Sequence, residues 1–168
     1  MKMKTKMIMM MMKKKLVANK GLPPSRESEV LQNISARLFD CFLVATYCYR
    51  SFETQQAIYQ NFVDQYGEEA ANRFSAKPGE SEHQTGLTMD VTSESVDFAL
   101  VEEFGSTKEG EWIAAHAAEF GFVLSYPEGK EDITGYIYEP WHYRYVGEEH
   151  AKFMKENDLV LKEYLNEY

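Results

Sequence analysis

The sequence predicts an α+β domain: a small antiparallel sheet with flanking helices. Three observations lead there. Two short segments, "GLTMDVT" (86–92) and "WHYRYVG" (141–147), alternate apolar and polar residues with the period of a strand. Other segments carry apolar residues at helical spacing. Hairpin-like loops with proline, glycine and serine, such as "SAKPGES" (75–81), divide the two kinds.

At 168 residues, with 44% hydrophobic and 14% aromatic content, the chain is one domain with a real core. A formal charge of -9 argues against nucleic acid as a partner, because phosphate binding needs a basic face. Two cysteines, Cys41 and Cys48, are too few for a disulfide framework or a thiolate zinc site, and read as buried small hydrophobes. Residues 1–20, opening "MKMKTKMIMMMMKKK", read as a disordered basic, methionine-rich tail. The apolar run there is too short for a secretory signal or a bilayer span. A single domain is expected over 21–168, as a monomer without a transmembrane segment.

The elements follow in order. Val30, Leu31, Ile34, Leu38 and Phe39 recur at helical spacing. "CFLVATYCYR" is apolar, β-branched and aromatic, a buried strand ending near Arg50. "SFETQQAIYQNFVDQYG" is an amphipathic helix with Ile58, Phe62 and Tyr66 on one face and Gly67 as its stop. A short helix over Glu68 to Phe74 comes next, and after the loop the strand "GLTMDVT". In that strand Leu87, Met89 and Val91 point one way, and Thr88, Asp90 and Thr92 form the polar face. "EGEWIAAHAAEFG" reads as a helix closed by Gly121, "FVLSY" as a strand and "PEGKEDITG" as a long polar loop. "WHYRYVG" puts Trp141, Tyr143 and Tyr145 on one face, with His142, Arg144 and Val146 on the other. One or two surface helices complete the chain.

Two strands thus each offer a metal-capable side chain on a polar face, Asp90 and His142. His83 precedes the first strand, and Gly86 lets the backbone turn so that His83 and Asp90 converge. Two imidazoles and a carboxylate form a common zinc shell with a fourth position left for water. Glu139 stands three residues before His142, held extended by Pro140, where a carboxylate can serve as general base. There is no HExxH helix. Singly, each of these residues has an ordinary structural reading: a hydrogen-bonded loop histidine, or an aspartate capping a turn. The combination is what points to a metal.

"SEHQTGLTMD" followed by "EPWHYRYVG" resembles the paired signature of the VanY-type D-alanyl-D-alanine carboxypeptidases, zinc peptidases of the peptidoglycan. "YRSFETQ" resembles the arginine-bearing segment of the same family, and the resemblance runs from about Leu43 to Tyr168. It implies the D-Ala-D-Ala carboxypeptidase/Hedgehog-like fold with the zinc site on the sheet. His83, Asp90 and His142 are then the Zn2+ ligands and Glu139 the catalytic base. Arg50 and Ser81 are implied to contact substrate, with Gln56 near the pocket. The implied reaction removes a C-terminal D-alanine from a peptidoglycan stem peptide, as a D,D- or L,D-carboxypeptidase. The alternative is a non-catalytic zinc-binding module for a wall peptide or protein partner, against which Glu139 speaks. Such a substrate implies an extracytoplasmic or envelope location, although no convincing export signal is visible in the sequence.

The sequence departs from the family pattern in two places. Cys48 stands where the family usually has glycine, and the stretch before the first strand is shorter. His116 and His150 lie in helices away from the motifs and are not expected to bind the metal. Glu102–Glu103 and Glu148–Glu149 read as solvated faces. Tyr126, Tyr136 and Tyr138 are candidates to line the groove, and Trp141 to anchor its strand from the apolar face.

Overall fold

A computed structural model of the chain describes residues 43–167. The basic tail at 1–20, the boundary at residue 21, the helix around Val30–Phe39 and Cys41 lie outside the described residues.

The first strand, β1, is Leu43–Tyr47 and ends three residues short of Arg50. Ser51 then caps helix α1 (Phe52–Tyr66), its hydroxyl accepting from the Thr54 N–H, and Gly67 ends the helix. A one-turn helix, α2 (Glu68–Ala71), continues only as turns through Phe74, so it is shorter than its sequence suggests. A 3-10 turn over Glu82–Thr85 ends at Gly86, whose left-handed φ of 72° suits glycine. Strand β2 (Thr88–Ser93) follows.

Helix α3 (Lys108–His116) is capped by Thr107 and tightens into a 3-10 turn over Ala117–Phe120 before Gly121. Its Gly110 is a close-approach site: a β-carbon there would lie 1.9 Å from the Phe104 carbonyl oxygen. Strand β3 is Phe122–Leu124. The polar segment expected as a loop contains one helical turn, α4 (Glu131–Thr134), in which Gly135 N–H closes onto Glu131 O. Strand β4 (His142–Tyr145) and helices α5 (Glu148–Glu156) and α6 (Leu161–Glu167) complete the described chain.

The four strands form one antiparallel sheet in the order β1-β2-β4-β3. The α+β class and small antiparallel sheet expected from the sequence are therefore present. Met89 pairs with Tyr143 on one face, while Asp90 pairs with His142 and Thr88 with Arg144 on the other. The first face joins a core with Val91, Phe104, Ile113 and Phe122. Val123, pointing the opposite way from Phe122, joins Ala118, Ala151 and Met154 under α5 and α6. The polar face is not solvated as its alternation suggests. Thr88, Asp90 and Thr92 are buried as well, because α1 and the loops cover that face and leave a cavity beside Asp90.

Candidate metal centre

Register brings the first two candidate ligands together. Asp90 and His142 are direct cross-strand partners, so their side chains rise side by side from the polar face. His83 reaches them from the 3-10 turn. All three are buried, and their ligand atoms lie within 4.8 Å of one another. His83 Nε2 is 3.3 Å from Asp90 Oδ2, and His142 Nδ1 is 3.3 Å from Asp90 Oδ1. The two imidazoles meet edge to face at 4.9 Å.

Each histidine nitrogen stands at a metal-ligand spacing from one of the two Asp90 oxygens. Zinc bonds of about 2.0–2.2 Å in a tetrahedron place neighbouring ligand atoms about 3.3–3.6 Å apart. Asp90 Oδ1 is buried and among the described residues has no donor in hydrogen-bond geometry, His142 Nδ1 standing at 3.3 Å, a shortfall that a bound cation would remove. The far nitrogens are already engaged. His83 Nδ1 lies 2.9 Å from the Cys48 carbonyl, to which it can only donate, so Nε2 is the nitrogen that would face a metal. His142 uses the opposite arrangement, with Nε2 2.9 Å from Glu82 Oε2 and Nδ1 toward Asp90.

The protein's own charges are balanced tightly here. Burial opposes ionisation of Asp90, but the flanking imidazoles of His142 and His83 overcome it and hold its pKa at about 2. Burial also opposes the His142 imidazolium, yet the carboxylates of Asp90 and Glu82 beside it raise its pKa to about 9. A metal would therefore displace a proton there. Glu139 Oε2 is 3.5 Å from His142 Nδ1, on the side of the ring that faces Asp90. Burial raises the Glu139 pKa to about 7, with His142 opposing and the Asp90 charge reinforcing the shift.

The centre opens into a cavity of about 380 Å³ between α1 and the sheet. Arg50 and Ser81 line it with Glu139 and the three candidate ligands. The Arg50 N–H donates to His83 O, and its guanidinium Nη1 donates to Gln55 Oε1 at 2.8 Å. Gln56, the residue implied from sequence, is exposed and lies outside the cavity lining. The inward residue is Gln55, 1% exposed, whose Nε2 donates to Ala76 O. Helical phase contains that information: Gln55 precedes Ile58 by three residues and Phe62 by seven, and all three line the cavity. Tyr66, read onto the same face, is instead 60% exposed.

Glu82 also escaped the sequence reading. Its only sequence signal is being a carboxylate beside a ligand, because its partner His142 is 60 residues away. Tyr126 and Tyr136 line the cavity, with the Tyr126 ring 4.7 Å from that of His142. Tyr138 instead packs against Gly105. Trp141 lies against the apolar core and also borders the cavity. His116 pairs with Glu119 and His150 with Tyr164, away from the centre. Glu102, Glu103, Glu148 and Glu149 are exposed. Cys48, expected to be buried, is exposed: it sits past the end of β1, with its carbonyl turned inward to His83.

Comparison with known proteins places this geometry. The chain is 52% identical over 122 residues to a Bacillus subtilis (strain 168) protein named as a carboxypeptidase, YodJ, covering 73% of this chain and 45% of that one. The structure of the LdcB LD-carboxypeptidase, which reveals a basis of peptidoglycan recognition, superposes with a TM-score of 0.79 at 46% identity. That match covers 84% of this chain and 67% of LdcB. VanYB in complex with D-alanine-D-alanine gives a TM-score of 0.74 at 34% identity, covering 84% of this chain and 81% of that one. A VanY variant solved with Zn(II) gives 0.73 at 34% identity, covering 84% and 82%. The chain spans between 34% and 62% of the length of the curated relatives it matches. The family model described as VanY, D-alanyl-D-alanine carboxypeptidase, matches residues 27–148, and this chain belongs to that family.

Proposed function

We propose that this chain is a zinc-dependent carboxypeptidase that removes a C-terminal D-alanine from peptidoglycan stem peptides. The observation that carries this reading is one cavity that joins the His83–Asp90–His142 cluster, Glu139 and Arg50. Relatives named for this reaction, and the zinc complex of VanY, support it.

His83 Nε2, His142 Nδ1 and an Asp90 oxygen would hold the metal. When bound, the metal would supply Lewis acidity for the scissile carbonyl and for the attacking water. Glu139 accepts the proton of the attacking water and delivers it to the leaving amine nitrogen. Arg50 recognises the free terminal carboxylate, for which a guanidinium supplies two parallel charge-assisted hydrogen bonds. Gln55 fixes the direction of that fork, and the Ser81 hydroxyl adds a donor. Peptidoglycan as substrate puts the site of action in the cell envelope. Among the described residues, no helix is long and apolar enough to cross a membrane.

Mass spectrometry of stem pentapeptide and tetrapeptide after incubation with zinc-loaded protein tests the reading. Loss of one alanine from the pentapeptide marks a D,D-enzyme, and loss from the tetrapeptide an L,D-enzyme. Amidating the C-terminus should abolish cleavage, and Arg50→Lys should be nearly as damaging as Arg50→Ala, because lysine keeps the charge and loses the fork. Zinc and peptide binding without hydrolysis would move the assignment to a binding module. Efficient cleavage of an amidated peptide would move it to an endopeptidase.

A further inference from the structure

Two glutamates approach the same imidazole from opposite sides, and their surroundings assign them different work. Glu139 stands on the Nδ1 side of His142, facing the cluster. Glu82 stands on the Nε2 side, where its Oε2 is 2.9 Å from the ring nitrogen. That same oxygen accepts the Ser125 hydroxyl at 2.7 Å. Ser125 is 4% exposed and directly follows β3, and its backbone N–H donates to His142 O. Ser125 is therefore bound both to His142 and to the carboxylate that touches His142. An oxygen committed to two donors on the far side of the ring is poorly placed to take a proton from water near Asp90.

We infer that Glu82, locked by Ser125, is a positioning residue that fixes His142 as the Nε2–H tautomer and so presents Nδ1 to the metal. The inference rests on the zinc-site reading above. Its physical basis is general. A histidine that donates its second ring N–H to a carboxylate has one tautomer, one ring orientation and a more basic ligand nitrogen. A neutral histidine without that acceptor divides between tautomers, and only one of them offers Nδ1. The two ligand histidines then use opposite nitrogens by design of their partners: a backbone carbonyl sets His83, and a side-chain carboxylate sets His142. Only the second can be altered by substitution without disturbing the main chain.

The test uses the full chain and zinc alone as probe. Long-range nitrogen–proton spectra of the zinc-loaded wild type should show His142 protonated at Nε2. Coordination through Nε2 overturns the inference without any variant. Competition with a chromophoric chelator should show Glu82→Ala binding zinc about 10–100-fold more weakly. Glu82→Gln, which retains an acceptor oxygen, should recover most of that loss, and Ser125→Ala should weaken binding only a few-fold. Because Glu82 is assigned no substrate contact, any remaining defect in zinc-saturated Glu82→Ala should fall on kcat and leave KM unchanged. Wild-type zinc affinity in Glu82→Ala, with His142 still singly protonated at Nε2, overturns the inference and leaves the zinc-site reading intact. A wild type that binds no zinc removes that reading itself.

Discussion

The two faces of the β2–β4 pair are buried to similar depth but satisfied in different ways. Met89, Val91 and Tyr143 pack against Phe104, Ile113 and Phe122, and need nothing but shape. Thr88, Asp90, His142 and Arg144 depend on partners brought from elsewhere. Three of the four buried side-chain polar atoms without a hydrogen-bond partner among the described residues lie there: Thr88 Oγ1, Asp90 Oδ1 and Arg144 Nε. One face therefore stabilises the fold, while the other gathers desolvated polar groups that a ligand could satisfy.

Substitutions should separate the two faces. The largest effect is expected on the polar one: Glu139→Gln should retain zinc and lose about 10²–10⁴-fold in turnover. Elemental analysis and a hydrolysis assay check both halves, and activity within a few-fold of wild type would end the assignment of Glu139 as base. On the apolar face, Phe122→Ala should destabilise by about 3–5 kcal/mol in denaturant titration, with zinc stoichiometry kept while the protein is folded. Zinc itself comes next. At a free concentration one hundred times its Kd it should add about 2.7 kcal/mol of stability, removable by a chelator. Its affinity should rise with pH while His142, held up to about 9, still carries the proton that the metal must displace. His83→Ala should lose both the zinc and this increment.

The finest comparison is between adjacent residues. Gln55→Ala breaks the bonds to Arg50 and Ala76 and should cost about 1–3 kcal/mol, with a fall in kcat/KM. Gln56→Ala should change stability by less than about 0.5 kcal/mol and leave kcat/KM alone. Equal effects at the two positions would reject the helical phase described above.

Alternation alone put Asp90 and His142 each on the polar face of its own strand, while the pairing and register that set them side by side had no local signal. The depth of that face was not legible. The α1 residues that roof it, Ile58 and Phe62, look from sequence like ordinary core positions. Glu82 and Ser125 are 43 residues apart, and no local pattern links them. The Gln55/Gln56 choice was recoverable, since the apolar residues of α1 already set its phase. The exposure of Cys48 depends on where β1 stops, and strand ends are poorly marked in a run as apolar as "CFLVATYCYR".

The end of β1 has one more consequence. Its pairing with β2 slips between Ala45 and Tyr47, a bulge that ends beside Asp90. Just beyond it, the chain is stitched to His83 twice: Cys48 O meets the ring, and Arg50 N–H meets the backbone carbonyl. The proposed carboxylate clamp and a proposed metal ligand thus belong to one rigid jaw. On the proposed reading the cavity would act as a gauge of fixed length: a peptide would be measured inward from its free end, and the scissile bond would be the one lying at the set mark.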